Sequence, residues 1–169
     1  GQGVMSIGKN LVEAAVAEDL EASWVPSYGP EMRGGTANCT VIISDERIGA
    51  PLVENPTEVV AMNRAALAKF EKRGAPGGTV FVNSSIIPDK VAREDVTAVY
   101  VPCDEIAAEL GNAKVANMVM LGAYVAATGA LKRETIETMI REMFTGKKAK
   151  LVPLNLEALE RGMACGKPA

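Results

Sequence analysis

The sequence predicts an α/β domain of three layers, α/β/α, around a central mixed sheet. Three observations predict it. Apolar runs of strand length alternate along the chain with segments whose apolar residues recur at helical spacing, the pattern of helices covering a sheet. Aromatic residues are only 4% of the 169 while Gly numbers 16, which favours close helix-on-sheet packing over a β-sandwich. Apolar residues are 48% and charged residues 23%, a balance that excludes a disordered or fibrous chain. This length suits one domain over residues 1–169 and buries roughly 70% of the unfolded surface without a disulfide framework.

Residues 4–17 read as a helix with Val4, Ile7, Leu11, Ala14 and Ala15 on one face. The chain enters that helix directly from Gly1-Gln2-Gly3, although a glycine turn of this kind normally follows a strand. The expectation is that a first strand is missing from the chain as given, the alternative being a domain whose sheet lacks it. Residues 22–26 and 36–44 read as strands flanking a glycine-rich loop. A short strand at 58–63 leads to a helix at 65–72, a turn at 74–78 and a strand at 79–83. A strand at 98–101 stops at Pro102, and a short helix at 104–110 stops at Gly111. Asn112 can cap the next helix, which runs to Gly129. Leu131, Ile136, Met139, Ile140, Met143 and Phe144 mark an amphipathic helix with Gly146 beyond it. A last helix is expected over 156–163.

Composition narrows the function. The chain has no histidine, which removes the commonest general base, Ser-His and Cys-His nucleophile pairs, and the commonest metal ligand. Cys39, Cys103 and Cys165 are far apart with no Cys-x-x-Cys, so no metal site is expected here. Scattered free thiols suit a reducing compartment. The formal charge of −3, without a long basic run, argues against nucleic-acid binding. No apolar run reaches the roughly 20 residues of a membrane span. A cytoplasmic protein is expected.

Several motifs are incomplete. Gly1-x-Gly3-x-x-Ser6 lacks the third glycine of a dinucleotide fingerprint, and the second strand ends in Pro26-Ser27 where an acidic residue belongs. Gly3 to Lys9 has the spacing of a phosphate loop, but Asn10 stands where a hydroxyl should bind magnesium. Ser6-x-x-Lys9 lacks the companion motifs of a serine nucleophile. A tight turn explains Gly1 and Gly3, and Lys9 reads as a surface lysine. A stand-alone nucleotide- or small-molecule-binding α/β module is the alternative these fragments leave open.

The segment from Trp24 to Cys39 differs in quality. It gathers a Trp, a Tyr, a Glu, an Arg, two Pro and three Gly within 16 residues. Proline and glycine give such a loop a specified shape, and shaped loops carry function. Tyr28, Glu31, Arg33, Gly34 and Gly35 are the candidate residues. Arg33 leads them because a guanidinium binds carboxylate or phosphate in bidentate fashion. A surface turn with a Glu31–Arg33 pair is the plainer reading.

The same segment, W-V-P-S-Y-G-P-E-M-R-G-G-T-A-N-C, resembles the gamma subunit of 2-oxoacid:ferredoxin oxidoreductases and the matching domain of single-chain pyruvate:ferredoxin oxidoreductases. The resemblance takes in Gly1-Gln-Gly-Val, Val41-Ile-Ile-Ser-Asp45, the segment from Pro56 to Asn63, and Gly111-Asn112-x-Lys114-Val-Ala-Asn117-Met. It implies oxidative decarboxylation of a 2-oxoacid such as pyruvate or 2-oxoglutarate with coenzyme A, giving acyl-CoA, CO2 and reduced ferredoxin. It further implies thiamine diphosphate, Mg and iron–sulfur clusters held by alpha, beta and ferredoxin-like delta subunits, with none held by this chain. The chain is then an accessory subunit, inactive alone and with no catalytic residue of its own. Its loop meets a partner subunit or the substrate and coenzyme A side of the site, with Gly1, Gly3, Lys114 and Asn117 as secondary candidates.

Overall fold

The computed structural model describes residues 3–28 and 37–166. The first helix, α1 (Val4–Ala17), buries Ile7, Leu11, Ala14 and Ala15, the stripe its periodicity predicts. Two extended segments follow, β1 (Glu21–Tyr28) and β2 (Ala37–Ser44), paired antiparallel from Glu21↔Ser44 to Tyr28↔Ala37. Strand alternation turns Ala22, Trp24, Cys39, Val41 and Ile43 to one face. Ala22, Val41 and Ile43 pack against the core that α1 enters, and Trp24 and Cys39 lie against Gly8.

Three strands form a parallel sheet in the order β3-β4-β5: β3 (Glu58–Ala61), β4 (Thr79–Asn83) and β5 (Thr97–Val101). The parallel and antiparallel pairing expected of one mixed sheet is thus divided between two sheets. Among the described residues no ladder joins the hairpin to β3. Alternation also gives the parallel sheet two dry faces, as parallel sheets require. Val59, Ala61, Val80 and Val82 pack with Ile87 and with Leu67 of α2 (Arg64–Phe70). Val60, Phe81, Val99 and Val101 face the larger core with α3 (Cys103–Glu109), α4 (Ala116–Thr128), α5 (Arg133–Met143) and α6 (Val152–Gly166).

Local chemistry sets the boundaries. Asn63 does not extend β3 as the sequence suggests. Its side chain accepts from Ala66 N at 2.8 Å and caps α2. Asn112 caps a single 3-10 turn, Ala113–Val115, by accepting from Lys114 N at 2.9 Å, and α4 starts after that turn. Gly129, at φ 63°, ends α4 in the left-handed conformation that glycine adopts without strain. The last helix is longer than the expected 156–163. Pro153 occupies its first turn, where no backbone N–H is needed.

A close backbone contact joins α4 to α6. A Cβ on Gly162 would fall inside the contact radius of Val119 O, and one on Gly122 would do the same at Leu159 O. The helices approach backbone to backbone because neither carries a side chain there. No helix among the described residues is long and apolar enough to cross a membrane.

Candidate functional site

The hairpin runs along α1, and two contacts fix its direction. Near the middle of the pair, the indole Nε1 of Trp24 and Sγ of Cys39 flank Gly8, at 2.9 and 2.6 Å from where a Cβ on that glycine would sit. At the helix start, the Cys39 thiol donates to Val4 O at 3.8 Å. Cys39 is two residues from Ala37, where β2 begins opposite Tyr28. Both strand ends of the proline- and glycine-rich loop therefore lie at the N-terminal end of α1.

That end is unusual in its chemistry. Gly3 takes φ 79° as N-cap, no side chain caps the helix, and its first turn carries no acidic residue. A Cβ on Gly3 would lie 2.8 Å from Cβ of Asn117, in the first turn of α4. That helix also has no side-chain cap and no acid in its first turn. Two helix N-termini thus meet with their positive dipole ends unopposed by side-chain charge in the first turn.

The orientation of α4 shows which side of the sheet this is. Its last turn, Ala127 and Thr128, lines a cleft with Thr57, Gly78 and Thr79 at the N-terminal ends of β3 and β4. A helix of 13 residues spans about 20 Å at 1.5 Å per residue. Its first turn, with Asn117, therefore lies toward the carboxyl ends of the strands. In open α/β sheets that is the side where ligands bind.

The geometry brings together some of the residues singled out in the sequence. Gly3 and Asn117 touch, and Tyr28 closes β1 at the same end. Lys114 sits exposed on the 3-10 turn before α4. Gly1, Glu31, Arg33, Gly34 and Gly35 lie outside the described residues. For Gly3 the geometry supports the tight-turn reading, since its positive φ and its fit against Asn117 both require glycine. Lys9 is exposed, with Nζ 5.1 Å from the centre of the Trp24 ring. The segment with phosphate-loop spacing is helical from Val4 onward, and Gly8 faces the hairpin from inside that helix.

Gly8, Trp24 and Cys39 act as a group that sequence reasoning missed. In the sequence Trp24 and Cys39 stand only as the ends of a loop motif, and Gly8 only as part of a phosphate-loop pattern. Their contact depends on the strand register and on the helix face, which no local pattern specifies. Burial pushes the Cys39 thiol up, and the indole N–H of Trp24 partly offsets this. The N–H is buried without a well-formed hydrogen bond.

The described residues do not fit a metal or cluster site. No three His, Cys, Asp or Glu side chains among them stand close enough to hold an ion. Cys103 is fully buried, and burial holds its thiol well above the ordinary cysteine range.

The family follows from the whole sequence. Residues 1–165 match the family model described as pyruvate ferredoxin/flavodoxin oxidoreductase. The chain belongs to this family. It is 43% identical over 164 residues to the ketoisovalerate oxidoreductase subunit VorA of Methanothermobacter marburgensis, covering 96% of this chain and 34% of that protein. It thus spans about a third of that relative's length. It is 38% identical over 143 residues to the 2-oxoglutarate synthase subunit KorC of Methanocaldococcus jannaschii, covering 83% of this chain and 76% of that one. The fold is similar to the crystal structure of the keto/oxoacid ferredoxin oxidoreductase gamma subunit of Geobacter sulfurreducens, with a TM-score of 0.81 and 28% identity, covering 98% of this chain and 92% of that one. The family match and the α/β fold both agree with the resemblance carried by the Trp24–Cys39 segment.

Proposed function

We propose that this chain is the gamma-type accessory part of a 2-oxoacid:ferredoxin oxidoreductase, which converts a 2-oxoacid and coenzyme A to acyl-CoA, CO2 and reduced ferredoxin. The carbanion chemistry belongs to thiamine diphosphate with Mg, and electron transfer to iron–sulfur clusters, on alpha, beta and delta partners. The contribution of this chain is a shaped surface beside that site. The observation carrying this reading is convergence. The strand ends of the proline- and glycine-rich loop, the start of α1 and the start of α4 share one end of the fold.

In this reading Arg33, with Tyr28, Glu31, Gly34 and Gly35, meets the partner subunit or the anionic substrate and coenzyme A. Gly3 and Asn117 form the joint that sets where that end begins. Lys114 adds a positive charge beside it. The positive helix ends favour an anionic neighbour.

Arg33→Ala in the assembled complex tests the assignment. A lost charge-assisted contact of about 1.5–3 kcal/mol lowers kcat/KM for the 2-oxoacid or coenzyme A by at least about tenfold. The circular dichroism of the chain and its incorporation into the complex stay as in the parent. Unchanged kinetics for both substrates, with assembly intact, would remove Arg33 from the site.

A further inference from the structure

The hairpin packs along α1 over its length, with Ala22, Val41 and Ile43 against the shared core, and at one contact the absence of a side chain is the essential feature. Gly8 belongs to the buried stripe of α1, on a helix whose other turns carry Ile7, Leu11, Ala14 and Ala15. A Cβ at Gly8 would stand 2.6 Å from Cys39 Sγ, 2.9 Å from Trp24 Nε1 and 3.0 Å from Trp24 Cδ1. Real side chains do not tolerate such contacts, so alanine there would displace the indole, the sulfur or the whole hairpin. Trp24 belongs to β1 and Cys39 to β2, so one gap on the helix receives a side chain from each strand.

Each of the two groups has a further contact in the seat. Lys9 covers the indole face at 5.1 Å, and the Cys39 thiol is tied to Val4 O. Trp24 is four residues before Tyr28, and Cys39 two residues after Ala37. At about 3.3 Å per residue, a tilt at Trp24 is carried along roughly 13 Å of strand to Tyr28.

We infer that Gly8, Trp24 and Cys39 are positioning residues: the gap at Gly8 seats both strands and fixes where the strand ends at Tyr28 and Ala37 stand relative to the start of α1. The inference rests on the proposed role of that end of the fold beside the substrate site. It goes further by assigning the geometry of the site to residues that touch no substrate. The seat orients the hairpin and performs no chemistry.

The test uses the assembled complex, with this chain labelled at its single tryptophan by 5-fluorotryptophan and its partners unlabelled. Gly8→Ala is expected to shift the fluorine resonance of Trp24 and to raise KM for coenzyme A or the 2-oxoacid by about tenfold. Misplacement by about 1 Å can cost up to about a hundredfold, and a smaller tilt correspondingly less. Gly8→Ala with Cys39→Ala removes the nearest clashing atom but leaves Trp24 Nε1 2.9 Å from the new Cβ, and is expected to relieve the KM defect in part.

A shifted resonance with unchanged KM for both substrates would overturn the inference. So would a KM defect that the double variant fails to relieve. If Gly8→Ala does not assemble, Trp24→Phe leaves the seat part-empty and is expected to raise KM in the same way, and an unchanged KM would again overturn the inference. The two readings fail separately. Normal kinetics in Arg33→Ala removes the loop from the site, whereas impaired Arg33→Ala beside normal Gly8→Ala removes only the seat.

Discussion

Tyr124 lies in α4 at the centre of the larger core, its ring 5.8 Å from that of Phe81. Burial pushes its phenol up to about 12; the Glu58 charge adds to this and Thr128 opposes it. An unfolded tyrosine titrates near 10. Above that pH the unfolded chain therefore gives up this proton while the folded chain keeps it, and stability falls as pH rises from about 10 to 12. Urea denaturation across that range should show the decline, and Tyr124→Phe should flatten it. An equal decline in both proteins would assign the effect elsewhere. The three thiols are likewise separated by their surroundings. Cys103 is fully buried and Cys39 and Cys165 are half-buried. None of this was legible from residue type alone. Burial and neighbouring charge at Tyr124 and Cys103 follow from which elements pack together.

Elements were legible where local signals agreed with tertiary packing. The apolar stripe of α1 and the five-residue run of β4 were read with the bounds the structure has. The sequence places the start of α6 at 156, whereas the fold starts it at Val152 with Pro153 in its first turn. Asn63 ends an apolar run and so reads as strand, yet its side chain caps the following helix. The union of α4 with α6 left no sequence signal that was recognised. Gly122, Gly162 and Gly166 are dispersed in the chain and converge only when the helices cross. Their role gives a direct expectation. Gly162→Ala forces the two backbones apart and should destabilise the chain by about 3 kcal/mol, the upper range for overpacking. Chemical denaturation measures this, and a loss below about 0.5 kcal/mol would contradict the close approach described for Val119 O.

At the scale of the whole molecule, the sequence contains a family signature, and the structure brings the strand ends at Tyr28 and Ala37 and the starts of α1 and α4 to one end of the fold. The signature was readable because Trp24 to Cys39 is dense in proline, glycine and charge. The convergence was not, because it depends on the direction of α4 and on the register of β1 with β2. The described residues of the chain offer no metal-holding cluster, and the proposed role assigns the redox chemistry to partners. The purified chain alone is accordingly expected to show no coenzyme A-dependent reduction of viologen by any 2-oxoacid, and such activity would refute the accessory role. The most direct test of the central claim is reconstitution. The full-length chain is purified and mixed with the thiamine-diphosphate and ferredoxin-like subunits of its own organism, and coenzyme A-dependent viologen reduction is followed with pyruvate, 2-oxoglutarate and 3-methyl-2-oxobutanoate in turn. The account predicts a stable complex in which at least one 2-oxoacid is oxidised only when this chain is present. Full activity without the chain, or no association with those subunits, would contradict it.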